Sequence, residues 1–434
     1  METGTYSAFS SRLHDTVRAN RIPVNVTVEI TRRCPLACAH CYNNLPMTDA
    51  AARSSELTTA EHHRLLDELA AAGCLWLLYT GGEVFARRDF LDIYTYAKRK
   101  GFIVTLFTNG TTITPRIADA LVAYRPFSIE ITLYGRTRET YERLTGVPGS
   151  YDRCLDGIRL LKERGLPLTV KTVAVSLNRH EIGEMKEFVE KELGIPFRFD
   201  AMMSPRIDCS QSPLEVRLAP EEIVALDLLD PERLKEWQQF SCEFVGPQQA
   251  AGHEDDVYHC GGGVNSFSVG PTGLMSLCVL SHRDTYDLRT GSLEEGWRHF
   301  LARVREKKIT RVTKCTACHL KSVCGMCPAN AELEADDPEA PVEFLCHVAH
   351  LRALAMGWPV EPHGECEYCP AGVRHAGLVE AAARLRTVVG AGLGTPTPLA
   401  SLAAPAAPRV LLPVLASGGR RDPGVRPCGG DAPG

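Results

Sequence analysis

The sequence predicts an α/β protein in which a partial (β/α)6 barrel is followed by a small Cys-rich C-terminal domain and a disordered tail. Six strand patterns alternate with helix patterns between residues 24 and 202, an order typical of a parallel sheet flanked by helices. Eleven of the 17 cysteines follow residue 240. Residues 391–434 contain eight Pro, eight Gly and no aromatic residue, a composition that cannot build a core.

The strand and helix patterns of the predicted barrel are short and have recognisable ends. Residues 24–31 alternate apolar and polar side chains, as a half-buried strand does. The next pattern is a helix at 59–72, with Thr58 or Thr59 as its N-cap and Gly73 beyond its end. Further strands are predicted at residues 74–79, 102–107, 127–133, 168–175 and 197–202, with helices at 88–100, 115–124, 151–164 and 180–192.

Six βα repeats are too few for a closed eight-stranded barrel. A partial, open barrel and an open doubly wound sheet both fit the pattern. Either architecture places the chemistry in the loops at the carboxyl ends of the strands.

We divide the chain into four segments. Residues 1–23 form an N-terminal segment, and residues 24–240 form the barrel. Residues 241–375 form the Cys-rich domain, in which the stretch 260–280 predicts a short hairpin. Residues 376–434 contain a helical remnant and the disordered tail.

Composition excludes several classes of partner. A net charge of -5 and a pI near 6.3 supply no basic field for a phosphate backbone, so we expect no nucleic-acid binding. No apolar run reaches the ~18 residues that span a bilayer, and the first 20 residues lack the apolar core of a secretory signal. We therefore expect a cytoplasmic protein without a membrane partner, whose many cysteines bind metal.

The first cysteine group lies directly after the first predicted strand. Cys34, Cys38 and Cys41 have the spacing C-x3-C-x2-C, and three thiols on one tight loop can converge on one metal centre. One interpretation is a zinc site completed by His40 or by a distant residue. The alternative is a four-iron cluster held by three cysteines, in which one iron stays open to another ligand.

This loop resembles the cluster-binding motif of radical S-adenosylmethionine (SAM) enzymes, in spacing and in its place after the first strand. The resemblance implies that the open iron chelates the amino and carboxylate groups of SAM. It also implies that the reduced cluster cleaves SAM to a 5′-deoxyadenosyl radical, which abstracts hydrogen from a substrate. No individual catalytic residue is identified by the sequence.

Residues at other strand ends support the resemblance. Gly81, Gly82 and Glu83 follow the second strand. Glycine lets the backbone approach a ligand, and in the family this motif holds the methionine amino group of SAM. By the same resemblance, Thr132 and Arg143 contact the SAM carboxylate, although a strand threonine and a solvated arginine fit the residues equally well. Asn178, after the fifth strand, is a candidate for the ribose site.

The second cysteine group resembles the SPASM extension of radical SAM enzymes, which binds auxiliary four-iron clusters. Interleaved zinc sites are the alternative interpretation of the spacing. One departure is the gap of two residues between Cys324 and Cys327, where relatives often have three. The resemblance implies that Cys315, Cys318, Cys324 and Cys346 hold one cluster and that Cys260, Cys278 and Cys327 hold the other.

The second of these clusters lacks a fourth ligand in the sequence. Relatives usually supply a cysteine shortly before the first one, but the residues just before Cys260 contain none. The candidates are Cys242, the pair Cys366 and Cys369, or an open iron.

The resemblance implies an enzyme that modifies a peptide or protein, with a small ribosomally made peptide as the favoured substrate. The alternatives are a sulfatase-maturation-type protein oxidase and a non-catalytic zinc or iron–sulfur protein. About 23 residues precede the first strand, too few for a folded peptide-recognition domain. We therefore expect a separate leader-peptide-binding protein, together with an electron donor such as flavodoxin or ferredoxin.

Overall fold

The computed structural model describes residues 15–244 and 255–392, and it confirms the six predicted strands. They pair in parallel and in chain order, so that each strand neighbours the next. This is the order of a partial barrel. The strands are β1 Asn25–Thr31, β2 Trp76–Gly81, β3 Ile103–Thr108, β4 Ser128–Thr132, β5 Leu168–Val173 and β6 Phe197–Asp200.

Within the described residues the sheet has nine strands, because the predicted C-terminal hairpin and one further short strand extend it at β1. Strand β7, Ser266–Val269, pairs in parallel with β1. Strand β8, Leu274–Ser276, turns back antiparallel to β7, and β9, Tyr286–Asp287, pairs with β8. The sequence predicted the hairpin but not its addition to the edge of the barrel.

The helices that cover the sheet begin and end at the residues that their capping chemistry favours. Thr58 forms a capping box with Glu61, and Gly146 ends a helix in the left-handed conformation. The helices are α1 Ala50–Ser55, α2 Thr59–Ala71, α3 Phe90–Arg99, α4 Pro115–Ala123, α5 Arg138–Thr145, α6 Ser150–Glu163 and α7 Ile182–Glu187, with 3-10 turns at Val84–Ala86, Arg179–Glu181 and Ser212–Val216 and a π-helical turn at Phe188–Glu192.

The two faces of the sheet differ in chemistry. Ile129 and Ile131 on β4 are fully buried in the apolar core that the strands form with the helices. Glu130, between them, has its side chain on the opposite, concave face, because successive side chains of a strand alternate. The concave face therefore carries the polar residues of the strands.

The rest of the described chain is mainly helical. An apolar cluster containing Leu228, Leu351 and Leu378 packs α8 against α14 and α15. The helices are α8 Pro220–Leu229, α9 Pro231–Phe244, α10 Leu293–Glu295, α11 Leu301–Arg305, α12 Lys321–Cys324, α13 Pro328–Ala335, α14 Glu343–Met356 and α15 His375–Gly392, with a π-helical turn at Gly296–Phe300 between α10 and α11.

Two expectations concern the chain ends and the membrane. The predicted tail lies outside the described residues beyond residue 392. Within the described ranges, none of the helices combines the length and the apolar character needed to cross a bilayer.

Candidate functional site

The cysteine loop, residues 34–41, lies at the carboxyl end of β1 and is fixed by α5. The amides of Ala37 and Ala39 donate to the carbonyls of Thr145 (2.8 Å) and Leu144 (3.0 Å) at the end of that helix. Cys34 begins the loop in a two-residue ladder, Arg33–Cys34 with Leu45–Pro46. An open cavity of about 260 Å³ lies beside it, lined in part by Cys34 and Leu36.

The three thiols are neighbours, with Cys34 buried and Cys38 and Cys41 half-buried. Burial raises the pKa of Cys34, and the nearby Glu83 and Cys41 raise it further. Burial also raises the pKa of Cys38, with Cys41 and Cys34 as its next causes. The Cys34 Sγ accepts hydrogen bonds from the Leu36 amide (3.4 Å) and the Asn109 side chain (3.5 Å). Such donors stabilise the thiolate form that binds metal.

The segment that follows the thiols is held from two directions. Glu29 on β1 accepts hydrogen bonds from the Tyr42 hydroxyl (2.8 Å) and the Asn43 side chain (2.6 Å). Arg206, after β6, donates to the Cys41 carbonyl at 3.1 Å. Sequence reasoning did not find Arg206, and its only signal was its place in a loop at a strand end.

His40 does not make up a zinc site with the thiols in the described structure. Its ring packs edge-on against Tyr134, with the ring centroids 4.9 Å apart, and burial lowers its pKa to about 4. Among the described residues, the set of three or more His, Cys, Asp and Glu ligands close enough for one ion lies elsewhere.

Gly81 and Gly82 allow β2 to pass directly against the start of the cysteine loop. Gly81 has φ +132°, and a Cβ atom there would lie 2.1 Å from the Thr31 carbonyl oxygen. A Cβ at Gly82 would lie 2.4 Å from the Arg32 carbonyl oxygen. The glycines thus let the backbone at the end of β2 come close to the backbone of Thr31 and Arg32. The sequence had suggested that they let the backbone come close to a ligand.

Glu83 is a buried carboxylate between the cysteine loop and β3. Its oxygens accept hydrogen bonds from the Thr108 hydroxyl (2.8 Å), the Asn109 amide (2.8 Å) and the Phe85 amide (3.2 Å). Burial raises the pKa of Glu83, while these donors oppose that rise. Because Asn109 also contacts Cys34, Glu83 orients a neighbour of the candidate metal centre.

The other candidate SAM residues differ in their surroundings. Thr132 ends β4 and pairs with Lys171, on the concave face. Arg143 is on α5, and its guanidinium donates to the Leu177 carbonyl at 2.9 Å. Asn178 is fully buried, and its side chain bonds to Val175, Tyr134 and Val173. Its side chain holds the turn after β5, and its contact with the ribose stays a prediction.

The sequence did not predict a group of charged side chains that lies on the concave face. Lys171 donates to Glu130 at 3.1 Å, and Arg198 donates to the same carboxylate. The Lys171 ammonium lies 2.9 Å from the centroid of the Phe107 ring. Burial lowers the pKa of Lys171 to about 8, and Glu130 partly opposes this. The four residues come from four adjacent strands, so only the assembled sheet brings them together.

Cys260, Cys278 and Cys327 come together beside the hairpin. Burial, with Cys327 and Cys260 as further causes, raises the pKa of Cys278 to about 11. Glu332, on α13, is one of the charges that raise the pKa of Cys327, after burial and Cys260. The carboxylate of Glu332 is buried, and its Oε2 has no hydrogen-bond partner among the described residues. The sequence did not single out this buried carboxylate beside Cys327.

A second group of thiols contains Cys315, Cys318, Cys324 and Cys346. Burial raises the pKa of Cys324 to about 12, with Cys318 and Cys315 adding to the rise. Burial also raises the pKa of Cys346, with contributions from Cys366, Cys324 and Cys318. The structure thus places these four cysteines near one another and apart from Cys260, Cys278 and Cys327, and their role as cluster ligands stays a prediction.

The pair Cys366 and Cys369 lies beside this second group of thiols and not beside Cys260, Cys278 and Cys327. The Sγ atoms of Cys366 and Cys369 lie 3.6 and 3.5 Å from His350 Nε2. Cys366 is also a neighbour of Cys346, Cys315 and Cys318. The suggestion that this pair completes the group of Cys260, Cys278 and Cys327 is wrong. The side chain of Cys242 lies outside the described residues.

Comparison with known proteins supports the geometry at the end of β1. Residues 28–190 match the model of the radical SAM superfamily. The AdoMet-dependent heme synthase of Methanosarcina barkeri is 34% identical over 40% of this chain and 48% of its own length. The PqqA peptide cyclase of Rhodopseudomonas palustris is 28% identical over 74% of this chain and 85% of its own length. The chain spans about half the length of the curated relatives that it matches at 34% identity.

A solved structure has the same fold over most of the chain. SuiB from Streptococcus suis, bound to SAM, has a TM-score of 0.57 and 17% identity, and the match covers 80% of this chain and 82% of SuiB. SuiB has also been solved with the precursor peptide SuiA.

Proposed function

We propose that this chain, whose residues 28–190 match the radical SAM superfamily, is an enzyme that cleaves SAM reductively to modify a peptide or protein. The cofactors of this superfamily are a four-iron cluster (4Fe-4S) and SAM. The observation that carries the proposal is the convergence of three thiols at the end of β1, directly against the Gly-Gly-Glu turn at the end of β2.

Cys34, Cys38 and Cys41 fit the cluster. They are mutual neighbours, the Leu36 amide and the Asn109 side chain donate to the Cys34 sulfur, and α5 fixes the loop through Ala37 and Ala39. Three protein ligands leave one iron for SAM. When bound, the cluster and SAM together supply an organic radical that removes a hydrogen atom from the substrate.

The residues around the thiols bind and orient. We assign Gly81, Gly82 and Glu83 to the methionine amino group, because Glu83 is a buried carboxylate beside the cysteine loop. We assign Thr132 and Arg143 to the carboxylate end of SAM. Glu130, Lys171 and Arg198 would meet charged groups of the substrate on the concave face.

The C-terminal thiols would hold two auxiliary clusters. Cys315, Cys318, Cys324 and Cys346 supply four ligands for one, and Cys260, Cys278 and Cys327 supply three for the other. The unpartnered oxygen of Glu332 beside Cys327 supports a carboxylate as the remaining ligand.

The favoured substrate is a ribosomally made peptide. The similarity to PqqA peptide cyclase and the fold shared with SuiB support this class. We include in the proposal a separate leader-peptide-binding protein and a one-electron donor such as flavodoxin or ferredoxin. A cytoplasmic setting fits the 15 described cysteines, all of which are free thiols.

A second candidate substrate is a haem precursor, which the similarity to AdoMet-dependent heme synthase favours. The two substrate classes predict different products. The reaction on a peptide changes the mass of a polypeptide, whereas the reaction on a haem precursor changes a porphyrin side chain.

The experiment supplies the reduced, cluster-loaded protein with SAM and a short peptide encoded beside its gene. We expect the peptide to increase 5′-deoxyadenosine formation and to change in mass, and a Cys34→Ala/Cys38→Ala/Cys41→Ala variant to do neither. A mass change in an added iron coproporphyrin but in no peptide would overturn the peptide assignment.

A further inference from the structure

A set of four buried ligands near the C-terminus is not used by the proposed chemistry. His350 lies on α14, and His363, Cys366 and Cys369 lie in the connection from α14 to α15. One ligand atom from each residue lies within 4.8 Å of those from all the others. All four side chains are at least nine-tenths buried. The geometry points to a mononuclear zinc-type site, which we call the His2Cys2 site.

The distances between ligand atoms match a single tetrahedral ion. His350 Nε2 lies 3.6 Å from the Cys366 Sγ and 3.5 Å from the Cys369 Sγ, and His363 Nε2 lies 3.7 Å from the Cys369 Sγ. Tetrahedral zinc with ordinary Zn–S and Zn–N bonds places sulfur and nitrogen ligands about 3.6 Å apart.

The same distances argue against a two-iron cluster with two His and two Cys ligands. In such a centre the histidines bind one iron and the cysteines bind the other. Its sulfur and nitrogen ligands are therefore separated by the cluster. Here one histidine nitrogen contacts both sulfurs, so the ligands surround one point.

Both imidazoles have Nδ1 beside a backbone carbonyl, which leaves Nε2 of His350 for the metal, while His363 offers Nε2 or its Nδ1, which lies 3.2 Å from the Cys369 Sγ. The His350 Nδ1–H donates to the Cys346 carbonyl at 2.8 Å, and the His363 Nδ1–H donates to the Glu361 carbonyl at 3.0 Å. Hydrogen bonds of this kind orient metal-binding histidines and select their tautomer.

Four protein ligands close the coordination sphere, so the ion is structural and not catalytic. It would fasten the connection after α14 back onto that helix. Cys346 lies one turn before His350, so one helix carries a ligand of the His2Cys2 site and a proposed ligand of an auxiliary cluster. The ion would therefore stabilise the part of the protein that surrounds that auxiliary cluster.

The test measures zinc and iron per chain in the full-length, anaerobically purified protein. We expect about one zinc atom per chain, lost in Cys366→Ala/Cys369→Ala and in His350→Gln. His347→Gln is the matched control, because His347 lies on the same helix but outside the set, and it should retain both metals. Retained iron in the zinc-free variants supports the site.

Loss of iron and sulfide from the double variant, with zinc absent from the unaltered protein, would overturn the inference. Cobalt supplied to the unaltered protein provides a readout that needs no variant. We expect the visible absorption bands of tetrahedral cobalt with thiolate ligands. If protein that is free of zinc shows no such bands after cobalt is added, the result counts against the site. Neither result depends on SAM cleavage, so failure of the His2Cys2 site is distinguishable from failure of the proposed enzyme function.

Discussion

The cysteine loop after β1 and the His2Cys2 site differ in how many ligands the chain supplies. The loop provides three thiols, and the one nearby imidazole, His40, packs against Tyr134. The His2Cys2 site provides four ligands around one point. The first arrangement leaves a metal position open to a small molecule, whereas the second closes it. As we propose them, the two sites separate a reactive metal centre from a structural one within one chain.

The largest expected effect comes from removing the open site. The Cys34→Ala/Cys38→Ala/Cys41→Ala variant should lose about four iron atoms per chain and all 5′-deoxyadenosine formation, because no thiolate remains to hold the cluster. Zinc should stay unchanged. Metal analysis and product chromatography measure both, and parallel loss of zinc would show that the two sites are not independent.

A large effect is also expected where β2 meets the cysteine loop. Gly81→Ala places a Cβ atom 2.1 Å from the Thr31 carbonyl oxygen, so the strands must separate. We expect a loss of several kcal/mol, about 3 or more, in the free energy of unfolding. Gly194→Ala is the control, because its φ is +62° with no atom within 4 Å of the added Cβ, and it should cost about 1 kcal/mol. Equal melting temperatures for the two variants would contradict the close approach.

Glu83→Gln tests the binding role that we propose at the open site. Losing a charged hydrogen bond should weaken SAM affinity by about 1.5–3 kcal/mol, roughly 10- to 100-fold, with iron retained. Thr108→Val removes one hydrogen-bond donor to Glu83 but keeps the negative charge of Glu83. We therefore expect a smaller loss of SAM affinity in this variant. Calorimetry with SAM measures both, and equal affinities for Glu83→Gln and the unaltered protein would reduce Glu83 to a structural role.

Removing the closed site should lower stability without ending the chemistry. His350→Gln should lower the melting temperature by about 5 °C or more, since a structural ion contributes to folding directly. His347→Gln should melt close to the unaltered protein. Complete loss of SAM cleavage in a folded, iron-loaded His350→Gln protein would contradict the division of roles.

The smallest effect concerns the concave face next to the open site. The pKa of Lys171 is lowered to about 8, so this side chain loses its charge as the pH rises through that value. Binding of a carboxylate group there should weaken several-fold above pH 8. Folding stability should instead rise with pH from about 8 to 10.5, because the unfolded chain then holds the extra proton. Lys171→Met should flatten both profiles, and an unchanged binding profile in that variant would exclude Lys171 from the site.

Local patterns were the part of this protein that the sequence predicted well. The six strands follow from short alternating segments, and the cysteine loop and the Gly-Gly-Glu turn are contiguous motifs. Long-range contacts were missed. The sequence could not indicate that β7 would join β1, or that Phe107, Glu130, Lys171 and Arg198 from four strands would meet.

The His2Cys2 site shows the same limit in the C-terminal region. Cys366 and Cys369 were visible as a C-x2-C pair, but His350 belongs to α14 and His363 to the connection that follows it. Only the return of that connection onto the helix brings the four together. Asn178 shows a different limit, since a polar residue at a strand end can serve the turn itself.

The most direct test of the open site is the electron paramagnetic resonance spectrum of the reduced protein before and after SAM is added. The three-thiol loop predicts that SAM binds the free iron and changes the signal of that cluster, and that the triple cysteine variant lacks both the signal and the change. If SAM changes no part of the spectrum of the unaltered protein, beyond the auxiliary-cluster signals that the triple cysteine variant retains, the account is contradicted.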